Sequence, residues 1–296
     1  MLLLLSFLTG LSNFQVGDFT SEPGTWNLEL GTRNLELNRL SAVRRRLVLV
    51  LSTFFLFSSV PAAAEQNPKA REVIAAAIEA MGGKKYLEVE NSHSSGRYFF
   101  FDRRGRKGFA RFWDWTVFEP IKSRWQLGEG KRQQVHIHNL EIEKGWTLEG
   151  QDSVEEIPEE AIEEFKKDVK RDINVILRQR VDEEGMDLFY HRPDDIAGAG
   201  EYEAVEFLDT TNTSVVIYFD LQSHLPSQLE THIANKGIRR QQRVEWYNWH
   251  TIQGVHTPLR SDIYVDEKIS QQVFIEEIAY NVDIPPGYFL EPKPEK

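Results

Sequence analysis

The sequence predicts a mainly β protein with some helix, an α+β fold. One curved antiparallel sheet or unclosed β-barrel of about ten strands is covered by an amphipathic helix and a short N-terminal helix. After residue 86, apolar and polar residues alternate in many short segments separated by turns. Helical periodicity occurs in two places, at 67–83 and at 158–180. Strands and helices do not alternate one by one, which disfavours a parallel sheet.

Composition limits the chemistry. The chain has 296 residues, no cysteine, 41% hydrophobic residues and a net charge of −11. The missing cysteine excludes disulfides, zinc–thiolate sites, a cysteine nucleophile and a lipid-modified cysteine. The acidic balance disfavours nucleic acid as a partner, because nucleic acid needs a basic surface. The 18 Phe, 9 Tyr and 7 Trp residues can supply a sizeable core.

Residues 41–64 have the pattern of a cleaved signal peptide. Arg44, Arg45 and Arg46 precede an apolar run at 47–60, and small residues at 62–64 form a cleavage site. The alternative is a membrane anchor, but the run is shorter than the roughly 20 residues of a spanning helix. Residues 1–40 precede this signal and contain a near repeat at 26–37, so we interpret them as a mis-assigned upstream segment. The mature protein is then a single β-rich domain at 65–296.

The two helical segments have clear boundaries. Asn67 and Pro68 start the first helix, and Gly82 and Gly83 end it. The second segment, 158–180, places Pro158 at its first position, and its acidic first turns and basic last turn complement the helix dipole. Its apolar stripe consists of Ile162, Phe165, Val169, Ile173, Ile176 and Leu177. Because strand-like sequence flanks it, we expect this helix to cover the sheet.

The strand pattern forms two meanders, one before and one after this helix. In the first, alternation centres on residues 109–117, 125–127, 135–137 and 146–148. In the second, the strand candidates are 188–190, 202–208, 215–219, 227–234, 240–249, 259–264 and 270–280.

No catalytic or metal-binding constellation emerges, so the sequence predicts no catalytic residue, no metal, no cofactor and no enzyme activity. His136 and His138 share one side of a strand, but Val135 and Ile137 claim the buried face. We therefore expect both imidazoles to point to water, and spacing places no third ligand. The many adjacent acidic pairs are typical of a solvated surface, and no hydrolase, zinc-protease or phosphate-loop motif occurs.

The aromatic residues are the most informative side chains. Most of them are expected in an ordinary core, but one helix cannot bury every inward apolar side chain of a large sheet, which favours a cavity for an apolar ligand. Arg111 stands among apolar neighbours and is a candidate to bond the covering helix, with a salt bridge at the rim as the alternative. The candidate lining residues are Phe109, Trp113, Trp115, Trp125, Trp146, Phe165, Val169, Ile173, Ile176, Phe219 and Trp246.

Over most of residues 67–290, the short first helix, the two meanders and the amphipathic helix between them resemble the LolA/LolB-like lipoprotein-carrier superfamily. The second half carries the closest local likenesses. Residues 217–230 (IYFDLQSHLPSQLE), 245–260 (EWYNWHTIQGVHTPLR) and 276–285 (EEIAYNVDIP) are similar to hairpin, turn and C-terminal motifs of that superfamily. These are fold motifs without catalytic residues, and Ser223 and His224 replace its usual Thr-x pattern. The resemblance implies an unclosed β-barrel whose apolar face, covered by helices, shelters lipid chains in the periplasm.

Two functions of different class follow from these expectations. The first is a periplasmic binding and carrier protein for a lipid or a lipoprotein acyl chain, with transient membrane association. The second is an envelope sensor or protein-interaction module on the same fold, with envelope proteins as partners. Whether segment 158–180 acts as a mobile lid or a fixed plug stays open at this stage.

Overall fold

The computed structural model describes residues 67–101, 105, 107–150, 152–193, 201–235 and 238–293. The predicted upstream segment 1–40 and signal peptide 41–64 lie outside this part of the chain.

Thirteen strands of the described chain form one antiparallel sheet. The strands are β1 Asn91–Phe101, β2 Lys107–Phe118, β3 Ile121–Leu127, β4 Gln134–Asn139, β5 Lys144–Glu149, β6 Ser153–Glu156, β7 Asp187–His191, β8 Tyr202–Leu208, β9 Ser214–Asp220, β10 Pro226–Asn235, β11 Ile238–Ile252, β12 Val255–Val265 and β13 Lys268–Tyr280. Their order across the sheet is β6-β5-β4-β3-β2-β1-β13-β12-β11-β10-β9-β8-β7.

The first and last strands lie together in the middle of the sheet. β1 pairs with β2 on one side and with β13 on the other. This pairing joins the meander β1–β6 to the meander β7–β13, and β6 and β7 become the two edges. The predicted unclosed antiparallel sheet is therefore confirmed.

The strand count differs from the predicted ten or so, because the pattern missed β1 and β6. The first half of β1 consists of small or polar residues such as Ser92, Ser94 and Gly96, which have low strand propensity. The strand forms nevertheless, because it pairs with β2 on one side and with β13 on the other. β6 is short, with one partly buried apolar residue, Val154.

The first helix forms where the sequence predicts it. α1 spans Pro68–Ala80, and the Asn67 side chain accepts hydrogen bonds from the backbone N–H of Lys69 and Ala70. Gly82 has a φ of 125°, and a Cβ there would lie 2.5 Å from the carbonyl oxygen of Gly254. This close approach seats the end of α1 on the β11–β12 turn. A short helix, α2, follows at Lys84–Leu87.

The predicted continuous helix at 158–180 is wrong, because it breaks after residue 169. α3 spans Glu159–Val169, with Pro158 as the residue before its first turn. Asp172 has extended backbone and caps a new start, α4 (Ile173–Val175), which continues as a π-helical turn over Ile176–Arg180. The Asp172 side chain accepts from the N–H of Asn174 at 2.9 Å, and this local bond competes with helix continuation.

Each face of the sheet carries a buried core. The helix-covered face carries the main core, in which Phe112, Phe207 and Leu229 from the strands meet Ile176 and Leu177. On the opposite face, the C-terminal segment 284–289 covers a second core. That core contains Val135, Ile137, Trp146, Leu148 and Phe289, with Trp115, Val117, Val154, Ile284 and Tyr288 around it.

A third cluster seats α3. Phe165 and Val169 pack with Val175, Ile121 and Leu140 near β3 and β4. Of the apolar stripe predicted for 158–180, Phe165 and Val169 thus belong to this cluster, whereas Ile173, Ile176 and Leu177 belong to the main core. No helix of the described residues is both long enough and apolar enough to cross a membrane.

Candidate functional site

The helical segment 173–178 and the central strands enclose a small pocket of about 30 Å³, room for about one water molecule. Its walls are mostly apolar and come from α2, the residues just before β1, the end of β2 and strands β11–β13. The lining residues are Met81, Tyr86, Val89, Phe118, Ile173, Asn174, Arg178, Trp246, Trp249, Val255, His256, Thr257, Pro258 and Tyr280.

Arg178 fixes the helical segment to the sheet. Its Nη2 donates to the carbonyl oxygen of Val89, and the carbonyl oxygen of Leu87 lies 3.4 Å away. Its guanidinium carbon lies 4.3 Å from the Phe118 ring centroid and 5.6 Å from that of Tyr86. Burial lowers the pKa of Arg178, while the nearby Tyr86 and Asp172 oppose that effect. The site therefore holds a cation against aromatic walls.

Several buried polar atoms of the pocket residues have no hydrogen-bond partner. They are Tyr86 Oη, Arg178 Nε and His256 Nδ1. Tyr86 is 2% exposed, and burial raises its pKa, so its hydroxyl keeps its proton. Buried polar groups are almost always paired, so such a group of orphans calls for an explanation. Two of these groups are donors, which suits a polar acceptor.

An open groove of about 440 Å³ adjoins the pocket on the other side of Arg178. Val89, Phe118 and Arg178 line both spaces. Gln179, which also lines the groove, donates to the carbonyl oxygen of Phe118 at 2.9 Å. Arg178 thus stands between an enclosed pocket and an accessible groove.

Asp172 makes this region sensitive to pH. Burial raises its pKa to about 7, although hydrogen bonds from Asn174 and Val175 act in the other direction. The folded state then holds a proton that the unfolded state releases near pH 4. Stability from this group is complete below pH 4 and is lost as pH rises through about 7.

We therefore expect Asp172→Asn to remove one pH-dependent contribution while keeping the capping oxygen. Its stability relative to the parent should rise by about 2–4 kcal/mol between pH 4 and pH 8. Urea unfolding at both pH values measures this difference. Asp187→Asn, at an exposed position of β7, is the matched control. Equal pH slopes in parent and Asp172→Asn would contradict the assignment.

Of the eleven residues predicted to line a cavity, Ile173 and Trp246 line the pocket. Trp125, Ile176 and Phe219 lie in the main core, where Trp125 stacks on Phe112 at 4.8 Å. They pack the helix-covered face without reaching the pocket. Phe165 and Val169 belong to the cluster under α3.

The prediction for β2 and β5 had the wrong face. Phe109, Trp113 and Trp115 lie on the opposite face of the sheet, and Phe109 is 55% exposed. Trp115 and Trp146 pack in the second core, beneath the C-terminal segment. The helix-covered face of β2 is instead formed by Phe112, Asp114, Thr116 and Phe118. Two of these four residues, Asp114 and Thr116, are polar. The alternation of apolar and polar residues in β2 therefore predicted the opposite face as the buried one.

Arg111 does not contact the helices. Its side chain is 58% exposed on the opposite face, and its Nη2 lies 3.6 Å from Glu276. Arg97 lies beside it, with its Nε 2.7 Å from the same carboxylate. The salt bridge that the sequence left as the alternative is therefore what forms.

The expectation that His136 and His138 point to water is wrong, because both faces of β4 are covered. The His138 ring stacks on Phe165 with centroids 3.9 Å apart. Burial lowers the pKa of His136 to about 4 and that of His138 to about 3. Both rings are neutral at neutral pH. No group of three or more His, Asp or Glu among the described residues could hold a metal ion.

The sequence pattern missed Arg178, Tyr86 and His256 as site residues. The pattern predicts for Arg178 only that its charge complements the dipole at the end of a helix. One signal pointed to it: Arg178 and Arg180 follow an apolar stripe in a segment expected to lie against the sheet. Only the tertiary structure brings Tyr86 and His256 to Arg178, since they come from distant parts of the chain.

Comparison with known proteins gives structural matches only; no family model and no curated protein matches. A LolA superfamily protein from Nitrosomonas europaea is similar at 11% identity and TM-score 0.48, over 75% of this chain and 97% of that one. A DUF1329 family protein from Desulfovibrio piger matches at 11% and 0.48, over 74% and 96%.

A third match is an outer membrane lipoprotein-sorting protein domain from Vibrio parahaemolyticus, at 12% identity and TM-score 0.47, over 75% of this chain and 97% of that one. The first of these three structures is described as a member of the superfamily that the sequence motifs resemble. At such identities and TM-scores, they carry no argument about ligand or function. An argument about function has to come from the pocket.

Proposed function

We propose that this chain is a periplasmic binding and carrier protein for a hydrophobic ligand with a polar head, such as a lipid or a lipoprotein acyl chain. The observation that carries the proposal is the set of buried, unpartnered polar atoms on an otherwise apolar pocket. A ligand of this class would satisfy them and bury its chain against the apolar walls. The predicted signal peptide at 41–64 supports the location.

The ligand's polar head fits the side of the pocket where Arg178 lies. Arg178 and Tyr86 are donors, and a carboxylate or phosphate oxygen accepts such bonds well. The surrounding Phe118, Trp246 and Trp249 provide apolar contact. The head would thus be held by charge-assisted hydrogen bonds and the chain by burial.

The pocket in this state is too small for an acyl chain, so binding requires the helical segment to move. The groove beyond Arg178 is large enough to admit one. Displacing Arg178 would join the two spaces. Two features suit such a movement: the chain breaks at 170–172, and a π-helical turn follows at Ile176–Arg180. We name residues 173–180 the gate segment.

Titration with a fluorescent fatty acid tests this proposal. We expect the parent protein to bind it, and Arg178→Ala to bind at least about tenfold more weakly, because a hydrogen bond to a charged group is lost. The corresponding methyl ester should lose less affinity, since its head is neutral. Arg97→Ala, which removes an exposed arginine from the opposite face, is the matched control.

Two outcomes would contradict the proposal. The first is a folded parent protein that binds neither probe. The second is an equal loss of affinity for the acid and the ester, which would mean that Arg178 only supports the fold. Circular dichroism of Arg178→Ala separates unfolding from loss of the head contact.

A further inference from the structure

The hairpin of β1 and β2 carries an exposed aromatic cluster on the face opposite the helices. The Phe99 ring centroid lies 5.3 Å from that of Phe109 and 5.6 Å from that of Phe274. Lys107 Nζ lies 3.8 Å from the Phe99 centroid and 5.9 Å from that of Phe101. A cation therefore sits over apolar rings that remain accessible to solvent.

A second exposed apolar residue lies at the same end of the sheet. Phe101, the last residue of β1, pairs with Lys107, the first of β2, and Asn235, the last residue of β10, pairs with Ile238, the first of β11. β1 pairs with β13, β13 with β12, and β12 with β11, all antiparallel, which puts both residue pairs at one end of the sheet. Among the described large hydrophobic residues, Ile238 at 65% and Phe109 at 55% are the most exposed.

Charge at this end of the sheet contrasts with the acidic whole. Lys107, Arg239 and Lys268 are exposed and form no ion pair with a carboxylate among the described residues. Other cations nearby form ion pairs: Arg97 and Arg111 share Glu276, Arg240 pairs with Asp266, and Arg243 pairs with Glu267. Unpaired positive charge therefore remains at the end of the sheet that carries Phe109 and Ile238.

We infer that this end of the sheet, the cationic–aromatic end formed by Phe99, Lys107, Phe109, Ile238, Arg239 and Lys268, docks on an anionic lipid surface. Aromatic and aliphatic residues enter the boundary between headgroups and acyl chains, while cations attract anionic headgroups.

Nucleic acid fits less well. The overall charge of −11 opposes a long polyanion. Phe109 and Ile238 also offer no hydrogen bonds to bases. This surface is separate from the pocket, because none of its six residues lines the pocket or the groove. It would bring the protein to a membrane without depending on the proposed ligand.

The absence of cysteine from the chain allows a local test. Phe109→Cys carries an environment-sensitive fluorophore, and Phe189→Cys, at a 45% exposed position of β7, is the matched control. The probes are vesicles of phosphatidylglycerol mixed with phosphatidylcholine, and vesicles of phosphatidylcholine alone. We expect a blue shift at position 109 on the mixed vesicles, a much smaller one on the neutral vesicles, and none at position 189.

Charge variants complete the test. Lys107→Glu or Lys268→Glu should weaken binding to the mixed vesicles at least about fivefold. Lys293→Glu makes the same change in net charge at an exposed C-terminal position and should not weaken binding. Arg178→Ala, which alters the pocket, should keep the blue shift at position 109. The inference is overturned by no shift at 109, by equal shifts on both vesicles, by equal effects of Lys107→Glu and Lys293→Glu, or by full competition from a single-stranded oligonucleotide.

Discussion

Arg180→Leu is expected to destabilise the protein by about 3–5 kcal/mol, which makes it one of the most damaging single changes on the gate segment. Arg180 Nη2 lies 2.9 Å from Asp209, and the two side chains are 8% and 5% exposed. Its Nη1 donates to the carbonyl oxygen of Lys170 at 2.6 Å, and its Nε lies 2.5 Å from Glu183. Leucine would leave Asp209 as a buried charge without its cation.

Hydrogen bonds besides the one from Arg180 keep the Asp209 carboxylate ionised. Burial alone would raise its pKa, but hydrogen bonds from Thr211, Thr213 and Arg180 lower it to about 2. It therefore contributes stability above pH 4 that is lost as pH falls through 2. Losing Arg180 removes only part of that stabilisation, so the variant should still fold at neutral pH.

Urea unfolding at neutral pH measures the effect. Arg240→Leu is the matched control, because Arg240 pairs with Asp266 at 2.8 Å while both side chains are more than a third exposed. An exposed pair of this kind contributes less than about 1 kcal/mol. Similar losses in the two variants would mean that the Arg180–Asp209 contact does not anchor the gate segment.

Phe165→Asp is expected to cost several kcal/mol of stability, because it buries an unpaired charge. Phe165 is 2% exposed, and its ring stacks on His138 at an angle of 7°. His138 is neutral at neutral pH and offers the new carboxylate no cation. The structure thus favours α3 as a fixed plug and leaves the role of a lid to the gate segment.

Thermal unfolding together with the fatty-acid titration separates the two roles. Phe189→Asp, at an exposed position of β7, should change stability by less than about 0.5 kcal/mol. A Phe165→Asp protein with parental stability that no longer retains ligand would contradict the plug. It would assign the moving part to α3.

The sequence predicted the strand-rich architecture because the period-two pattern is strong wherever one face packs apolar residues. It failed where both faces are covered. Ile137 and His138 are both buried, on opposite sides of β4, and no alternation can signal that when the covering C-terminal segment is distant in sequence. The prediction of the helix-covered face of β2 failed for a related reason: buried Asp114 and Thr116 share that face with Phe112.

The site was less predictable than the fold. The stripe at 158–180 predicted that this segment faces the sheet, and Ile173 and Trp246 do line the pocket. The helix breaks at Asp172 because its side chain caps a new helix start. The apolar periodicity continues across this residue and therefore predicted one unbroken helix. Tyr86, Arg178 and His256 meet only through the pairing of β1 with β13 and the seat of α2, and neither follows from local pattern.

Native mass spectrometry of the protein purified from envelope fractions tests the central claim most directly, namely that the gate segment closes a pocket for a hydrophobic ligand with a polar head. We expect a one-to-one adduct with an amphiphile, removed by organic solvent and restored by added fatty acid, and lost in Arg178→Ala while Arg97→Ala retains it. A parent protein that is always free of adduct, and takes up no fatty acid when it is offered, would contradict the claim.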